Sequence, residues 1–413
     1  MNVLDSIYSK GFSAYLHGFS AIDAWLGTKE SQIIHLLTNA DTSALAKMFE
    51  NLRFPGVILA DAALDENDKE GFCKTWYFRC ADSVNDNRAS FLPLDFYRNC
   101  KTKAFIDPHE VYPLLKEIRK NLFGIKTNNE QITPLHIFEY NNNREIDPVC
   151  LLMDAALILA KYFTTDIKSE NNIEKKYLKH LKLKFKNWQD GQEPNQEHQR
   201  VFLSELITSS NPALGFEFLR INGFIGKFWP ELEKLGQADH SKDFHPEGNA
   251  WEHTMETFHH RKTGTNKASL QAIYAYNLRL SLALLLHDCG KPISLSNGSH
   301  RYDGHAELGE FQARRFLERL GFSSSLTADV CFLVRNHMLP AALPRLPLFR
   351  TEQIMSSPLF PLLMELYRCD ESSSFKGLEG YYQSSAAYQQ FLRNRKNPYR
   401  TSDGKKQKRA GQK

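Results

Sequence analysis

Nothing in this 413-residue sequence reads as a membrane anchor, an export signal or a disulfide framework. No segment reaches about 18 uninterrupted apolar residues, which argues against a spanning helix. The opening MNVLDSIYSKGF lacks the basic-then-apolar pattern of a secretory signal. The seven cysteines (73, 80, 100, 150, 289, 331 and 369) are scattered and odd in number. None forms a C-x-x-C pair, so neither a zinc ribbon nor a disulfide scaffold is indicated. These absences predict a cytoplasmic protein in a reducing compartment. Net charge is also small, at +4. Such a balance permits a nucleic-acid partner without arguing for one. What remains is ordinary: 42% apolar and 24% charged residues, enough for sizeable cores and, at this length, two or three domains.

Residues 1–125 read as mixed α/β. YLHG suggests a strand and a tight turn at Gly18, with a helix from about Ser20. IIHLLT (33–38) is a short apolar strand, DTSALAKMFENL a capped helix, and GVILADA, TWYFRCA and TKAFID are further strand-like runs. The acidic stretch DAALDENDKEG reads as a polar loop. From about residue 130 the strand signals stop. DPVCLLMDAALILAKYF (147–163), QRVFLSELI and NPALGFEFLRINGF have helical patterns, separated by a lysine-rich amphipathic piece, ENNIEKKYLKHLKLKFKNWQ, which reads as a solvated face. After Gly377 the pattern weakens. The basic stretch at residues 379–413 is expected to be a disordered, solubilising tail.

The chemistry-bearing segment is LRLSLALLLHDCGK (278–291). Its leucines make it apolar on nearly every face, and His287, Asp288 and Lys291 arrive together at a glycine-marked terminus, Gly290. A buried histidine and carboxylate cost several kcal/mol unless they are paired or bind a cation. A lone His–Asp pair is usually a satisfied structural pair. Here His253, His305, His337 and Asp370 join them, and each of the six lies at or near the end of a core-like helix, where several segments can converge. Imidazoles and carboxylates without thiolates suit Mn, Fe, Co, Ni or Zn. Six groups exceed what one tetrahedral ion needs, so one ion with supporting histidines and two ions both remain open.

This pattern resembles the HD-domain metal-dependent phosphohydrolases. HPEGNAWEHT, HDCGKP, GHAELG and VRNHM are similar to the HD domain at the C-terminal end of bacterial CCA-adding enzymes and related poly(A) polymerases. The resemblance implies His253, His287, Asp288 and Asp370 as metal ligands, with His305 and His337 as the additional pair of the extended form. It also implies phosphatase or cyclic phosphodiesterase chemistry on a nucleotide or RNA phosphate ester. Asp288 and Lys291 are the candidate catalytic residues: Lys291 could offset phosphate charge, though a lysine at a helix C-terminus is favoured by the macrodipole anyway. His245 and Glu247 are candidate pocket or capping residues.

The resemblance extends upstream as architecture. It implies an α+β chain with a small mixed-sheet, polymerase-β-type nucleotidyltransferase head (1–125), a helical, RNA-binding-like neck (126–240) and an all-α HD domain (241–378). The head's chemistry is altered. Phe19 stands for the second glycine of the family's Gly-Gly turn, Ile22 for its arginine, and Ile33 and His35 for its i, i+2 aspartates. Isoleucine cannot ligate magnesium and histidine does so poorly. In RASFLPLDFY, Ala89 and Pro93 replace an Asp and an Asn, and in the neck Cys150, Met153 and Ala156 replace arginines. Three readings follow: a phosphohydrolase on a degenerate scaffold, an active tRNA nucleotidyltransferase, or a non-catalytic RNA-binding protein with a structural metal. The first is preferred, with tRNA as a possible partner and no membrane involvement; no sequence feature fixes an oligomeric state.

Overall fold

The computed structural model describes residues 2–28, 32–56, 60–67, 73–86, 94–108, 110–112, 115–116, 147–163, 185, 187–238, 248–262, 270–296, 302–374, 377–397, 401 and 404–405. The chain divides into two compact units. Residues 1–225 with 264–278 form the first, and residues 226–263 with 279–413 the second. The lysine-rich piece at 170–184, residues 88–93, and His245 and Glu247 lie outside the described residues. No described helix is long and apolar enough to cross a membrane.

The first unit opens on a six-stranded mixed sheet of order β3-β4-β2-β1-β5-β6. Its strands are β1 (Ala14–His17), β2 (Ile33–Thr38), β3 (Ala62–Asn67), β4 (Cys73–Cys80), β5 (Tyr97–Asn99) and β6 (Phe105–Ile106). Among the described strands only β2 and β4 pair in parallel, with His35 opposite Tyr77. Side chains alternate across the pleat. Ile34, Leu36, Trp76 and Phe78 therefore share a core on one face, closed by α1 (Val3–Ser9) and α3 (Thr42–Met48). Ile33, Ala63 and Tyr77 take the other face and meet Val201. The acidic stretch expected to be a loop is partly a strand: Ala62–Asn67 pair with β4. An edge strand tolerates such charge because one side needs no partner strand. Asp65 bonds Arg53 and Thr75, while Glu66 accepts from the Trp76 indole.

The helical half of this unit comprises α4 (Pro148–Tyr162), α5 (Gln196–Thr208) and α6 (Pro212–Ile221), after the short α2 (Phe19–Leu26) of the sheet region. Asp147 caps α4, accepting from the amides of Val149 and Cys150, and Pro148 occupies its first position. Gly215 of α6 allows close packing, since a Cβ there would sit 2.5 Å from Leu206 Cδ1 and 2.9 Å from the Ala156 carbonyl.

In the second unit the helices are α8 (Pro230–Glu233), α9 (Ala250–His259), α11 (Lys291–Ser296), α12 (His305–Arg319), α13 (Ser324–Asn336), α14 (Leu339–Ala342), α15 (Leu348–Met355), α16 (Phe360–Ser372) and α17 (Glu379–Lys396). The unit boundary falls within α7 (Phe224–Phe228) and again within α10 (Leu270–Leu286). Fully buried Trp229 and Trp251 and the leucines 280, 282 and 284–286 anchor the core. One expectation is corrected here. Residues 379–396 of the supposed disordered tail form an 18-residue helix. Ser384 and Phe391 are buried and the Tyr388 ring lies 4.5 Å from that of Phe360. Spacing of i, i+4, i+7 places these residues on one face, which is enough to hold a helix that is otherwise polar.

Candidate metal centre

Five helices bring the six side chains together. Asn249 caps α9 in a reciprocal box with Glu252, which fixes His253 one turn inside the helix. The apolar α10 ends one residue before His287, and Asp288 follows in the turn to α11. His305 opens α12 behind Gly304, a left-handed residue, and His337 caps the C-terminus of α13. Asp370 stands two residues before the end of α16. His253, His287, Asp288 and His337 are each at most 2% exposed.

Hydrogen bonding decides what these imidazoles present. Nδ1 of His287 lies 2.8 Å from the Leu284 carbonyl, Nδ1 of His305 2.8 Å from that of Tyr302, and Nδ1 of His337 2.6 Å from that of Val334. A carbonyl only accepts, so each Nδ1 carries its proton and each neutral ring turns a bare Nε2 lone pair inward. His253 behaves alike. Ser373 gives its single hydroxyl proton to the Asp370 carbonyl at 2.6 Å and so accepts from His253 Nδ1 at 3.2 Å.

The inward atoms are therefore acceptors facing acceptors. Nε2 of His305 and of His337 stand 3.1 Å apart. Nε2 of His253 is 2.9 Å from Asp370 Oδ1, and Nε2 of His287, buried and 3.3 Å from Asp288 Oδ2, makes no hydrogen bond among the described residues. Such contacts are repulsive unless a proton or a cation lies between them. Two ligand-like groups result, His253–His287–Asp288 and Asp288–His305–His337, each with its ligand atoms within 4.8 Å of one another. Asp288 belongs to both. The donors fit one or two divalent ions of the Mn, Fe, Co, Ni or Zn kind.

Charge balance points the same way. Burial works against the Asp288 carboxylate, but His287 and Lys291 outweigh it and hold its pKa well below the usual value. Burial likewise opposes Asp370, and a proton held between it and His253 Nε2 overrides it. Burial, reinforced by His287, lowers the His337 pKa to about 4, and burial lowers that of His305. Ionised Asp288 and Asp370 beside neutral His305 and His337 match the protonation states a metal requires. Lys291, the first residue of α11 rather than a helix C-terminal lysine, bonds Asp288 Oδ2 at 2.6 Å.

Two contributors escaped the sequence reading. Tyr302 adopts a positive φ of 56°, costly for a bulky residue. That conformation aims its carbonyl at His305, and its ring lies under Lys291 at 5.7 Å. A Tyr directly before Asp-Gly-His was the available signal. Ser373 was hidden in the run ESSS. Ser373→Ala should weaken metal binding roughly 10- to 100-fold, as removing a group that orients a ligand does, measured by Mn²⁺ titration calorimetry; unchanged affinity would show that His253 needs no such orientation.

The head positions lie elsewhere, in the first unit, and all are buried: Phe19 and Ile33 at 6%, Ile22 at 1% and His35 at 6%. So are the neck positions Cys150, Met153 and Ala156. Asp23 is held by Lys161 at 2.8 Å and by the Tyr162 hydroxyl at 2.9 Å, and Phe19 stacks on Tyr162. His35 Nε2 faces Glu205 of α5 at 3.6 Å.

Residues 257–360 match the HD domain family. This stretch holds His287, Asp288, His305 and His337, and His253 and Asp370 flank it within ten residues. Over part of its length the chain is also similar to CCA-adding enzymes. A CC-adding tRNA nucleotidyltransferase of Thermus thermophilus is 34% identical over 149 residues, 35% of this chain and 32% of that protein. A multifunctional CCA protein of Halorhodospira halophila is 31% identical over 136 residues, 33% and 30% of the two chains. A bifunctional uridylyltransferase/uridylyl-removing enzyme of Ruegeria pomeroyi is 28% identical over 203 residues, 47% and 21% of the two. The matches thus span about a third or less of these relatives. Among solved structures, a CCA-adding enzyme of Bacillus stearothermophilus in complex with CTP aligns over 95% of this chain and 81% of its own, at 13% identity and a TM-score of 0.46.

Proposed function

We propose that this HD-domain protein is a metal-dependent phosphohydrolase, a phosphatase or cyclic phosphodiesterase, acting on a phosphate ester of a nucleotide or RNA. The observation that carries the reading is the inward convergence of Nε2 lone pairs on a shared Asp288, which only protons or cations can stabilise. His253, His287, Asp288 and Asp370 would hold one ion, and Asp288, His305 and His337 a second. A divalent ion there supplies Lewis acidity toward a phosphoryl oxygen and a nucleophile from water near neutral pH. The protein's own groups do the rest. Backbone carbonyls and Ser373 fix the imidazole tautomers. Lys291, which bonds Asp288 at 2.6 Å, would offset the negative charge that grows on the phosphate.

The test is turnover after chelation and refilling with Mn, Ni, Co, Fe, Zn or Mg. Suitable substrates are 2′,3′-cyclic nucleotides, nucleoside monophosphates and an aryl phosphate. We expect metal-dependent hydrolysis that falls by about 10³-fold or more in Asp288→Ala, since one missing electrostatic group in a closed site already costs 10²–10³. Absence of turnover with every metal, in protein that demonstrably holds metal, sinks the proposal.

The names of the relatives favour a second reading, tRNA nucleotidyltransfer by the head. Against it stand the non-ligating side chains at the counterpart positions and their burial. We expect no incorporation of labelled CTP or ATP into tRNA above background; clear incorporation would restore that reading.

A further inference from the structure

Tyr302 occupies the left-handed region at φ 56°, and Gly304, two residues on in the same turn, does so at φ 74°. Glycine enters that region freely, whereas a tyrosine there is rare and strained. The turn needs this conformation at 302 for the carbonyl, which accepts from the His305 amide at 3.0 Å and from His305 Nδ1 at 2.8 Å. Glycine or asparagine would aim the same carbonyl with less strain. The backbone therefore accounts for the conformation but not for the side chain.

That side chain meets Lys291. The ammonium lies 5.7 Å from the ring centroid, inside the range of about 6 Å over which an aromatic face attracts a cation. The approach is built in from the backbone. The Ser294 hydroxyl donates to the Asp303 carbonyl at 3.0 Å, and Ser294 stands three residues beyond Lys291, on the same face of α11. The turn that carries Tyr302 is thus tied down along the helix that Lys291 opens. A lysine has a long flexible stem; Asp288 Oδ2 holds this one at 2.6 Å, and the ring is a further anchor. Asp288 belongs to both ligand-like groups. A carboxylate engaged by a divalent ion attracts an ammonium less, so Asp288 alone is a weak anchor for Lys291 in a loaded centre. The ring does not ligate and keeps its hold.

We propose that Tyr302 is a positioning residue whose ring holds the Lys291 ammonium at the metal centre when Asp288 is shared with a cation. The charge is then in place when a phosphate ester reacts. This deepens the phosphohydrolase reading above and rests on it for the link to catalysis; the hold of the ring on the ammonium does not depend on it.

The experiment uses the full chain and compares two variants. Tyr302→Asn tolerates the backbone conformation but lacks the ring, and Tyr302→Phe keeps the ring. The first readout is the proton–carbon spectrum of protein labelled at lysine Cε, with the Lys291 signal assigned by its loss in Lys291→Met. An aromatic ring moves the protons over its face upfield. That displacement should be present in the unaltered chain and in Tyr302→Phe and absent in Tyr302→Asn, both without metal and with Zn²⁺. The second readout is hydrolysis of a 2′,3′-cyclic mononucleotide. Tyr302→Asn should lower kcat about tenfold, the scale of a desolvated cation–π contact. KM should stay unchanged, because the charge matters only in the transition state, and Tyr302→Phe should restore the rate. In a Lys291→Met background, Tyr302→Asn should lower kcat no further. Zn²⁺ affinity by calorimetry should be equal in Tyr302→Asn and the unaltered chain, since the carbonyl at 302 stays aimed at His305. A Lys291 signal that does not move in Tyr302→Asn overturns the proposal, as does an equal loss of kcat in the Lys291→Met background. A drop in Zn²⁺ affinity large enough to account for the lost rate also overturns it, because Tyr302 would then act through its carbonyl alone. If the unaltered chain hydrolyses no ester, the phosphohydrolase reading fails while the Lys291 signal still decides whether the ring holds the ammonium.

Discussion

A Gly290→Ala variant should lose metal from the His305–His337 side of the centre while keeping its helical content. The turn His287–Gly290 and the start of α12 meet backbone to backbone. A Cβ on Gly290 would overlap the carbonyl oxygen of His305 and lie 2.5 Å from the Gly309 amide nitrogen. Neither is the movable end of a side chain, so the first turn of α12 must retreat. His305 Nε2 is 3.7 Å from Asp288 Oδ1 and 3.1 Å from His337 Nε2, and a shift of about 1 Å in that first turn breaks both relations. We expect at least 100-fold weaker binding at this side, in line with the upper end for disturbed supporting groups. The overpacking itself should cost about 1–3 kcal/mol, well within the stability of a folded domain. Gly309→Ala is the control. Its Cβ would meet Val334 Cγ1 at 3.2 Å, a side-chain methyl that can yield, so a small effect is expected. Metal counting by mass spectrometry with circular dichroism separates the outcomes. Two ions retained in Gly290→Ala would show that the glycine contact does not set the ligand spacing.

Much of this centre was legible in the sequence because a buried histidine or carboxylate advertises itself against leucine. HD after SLALLL, and NH after CFLV, are polar groups where burial is costly. Their joint position at helix ends made convergence a reasonable expectation; five of the six fall in two overlapping clusters, and Asp370 lies 2.9 Å from His253 Nε2. The supporting atoms were not legible. Three of the four imidazoles are oriented by main-chain carbonyls, which every residue possesses. The positive φ of Tyr302 is invisible in a side-chain pattern. The head was misjudged only locally: Asp65 and Glu66 made a polar loop the natural expectation, yet pairing with Lys74 and Thr75 on β4 makes that stretch a strand. Helix α17 was missed because its apolar signal is thin. Tyr388 gains its effect from Phe360, nearly thirty residues upstream, and Phe391 from Tyr388; serine at 384 gives no hydrophobic cue although it is fully buried. The two-unit division likewise depends on packing of α5 against the sheet through Val201, a long-range fact.

The largest loss of stability should follow from rebuilding the carboxylate pair in the head. An Ile33→Asp/His35→Asp double variant places aspartates at i, i+2 on β2, the spacing a magnesium-dependent transferase needs. In this chain the face they would occupy is not a cleft. Ile33 packs with Ala63, Tyr77 and Val201, and position 35 faces Glu205 of α5. Burial works against the Glu205 carboxylate; His35, with Lys161 behind it, outweighs that and holds its pKa below the usual value. His35→Asp removes this compensation and sets a second carboxylate beside the first. Lys161 is already engaged by Asp23 at 2.8 Å. Each uncompensated buried charge costs about 3–5 kcal/mol, so two approach the 5–15 kcal/mol that holds a typical domain together. The double variant should therefore unfold in its first unit, or survive only with protonated aspartates whose pKa values are raised by burial and by each other. Neither form can hold magnesium. The measurement is thermal unfolding followed by calorimetry with Mg²⁺ and CTP. A stable double variant that binds the Mg–nucleotide pair would mean that the cleft still opens.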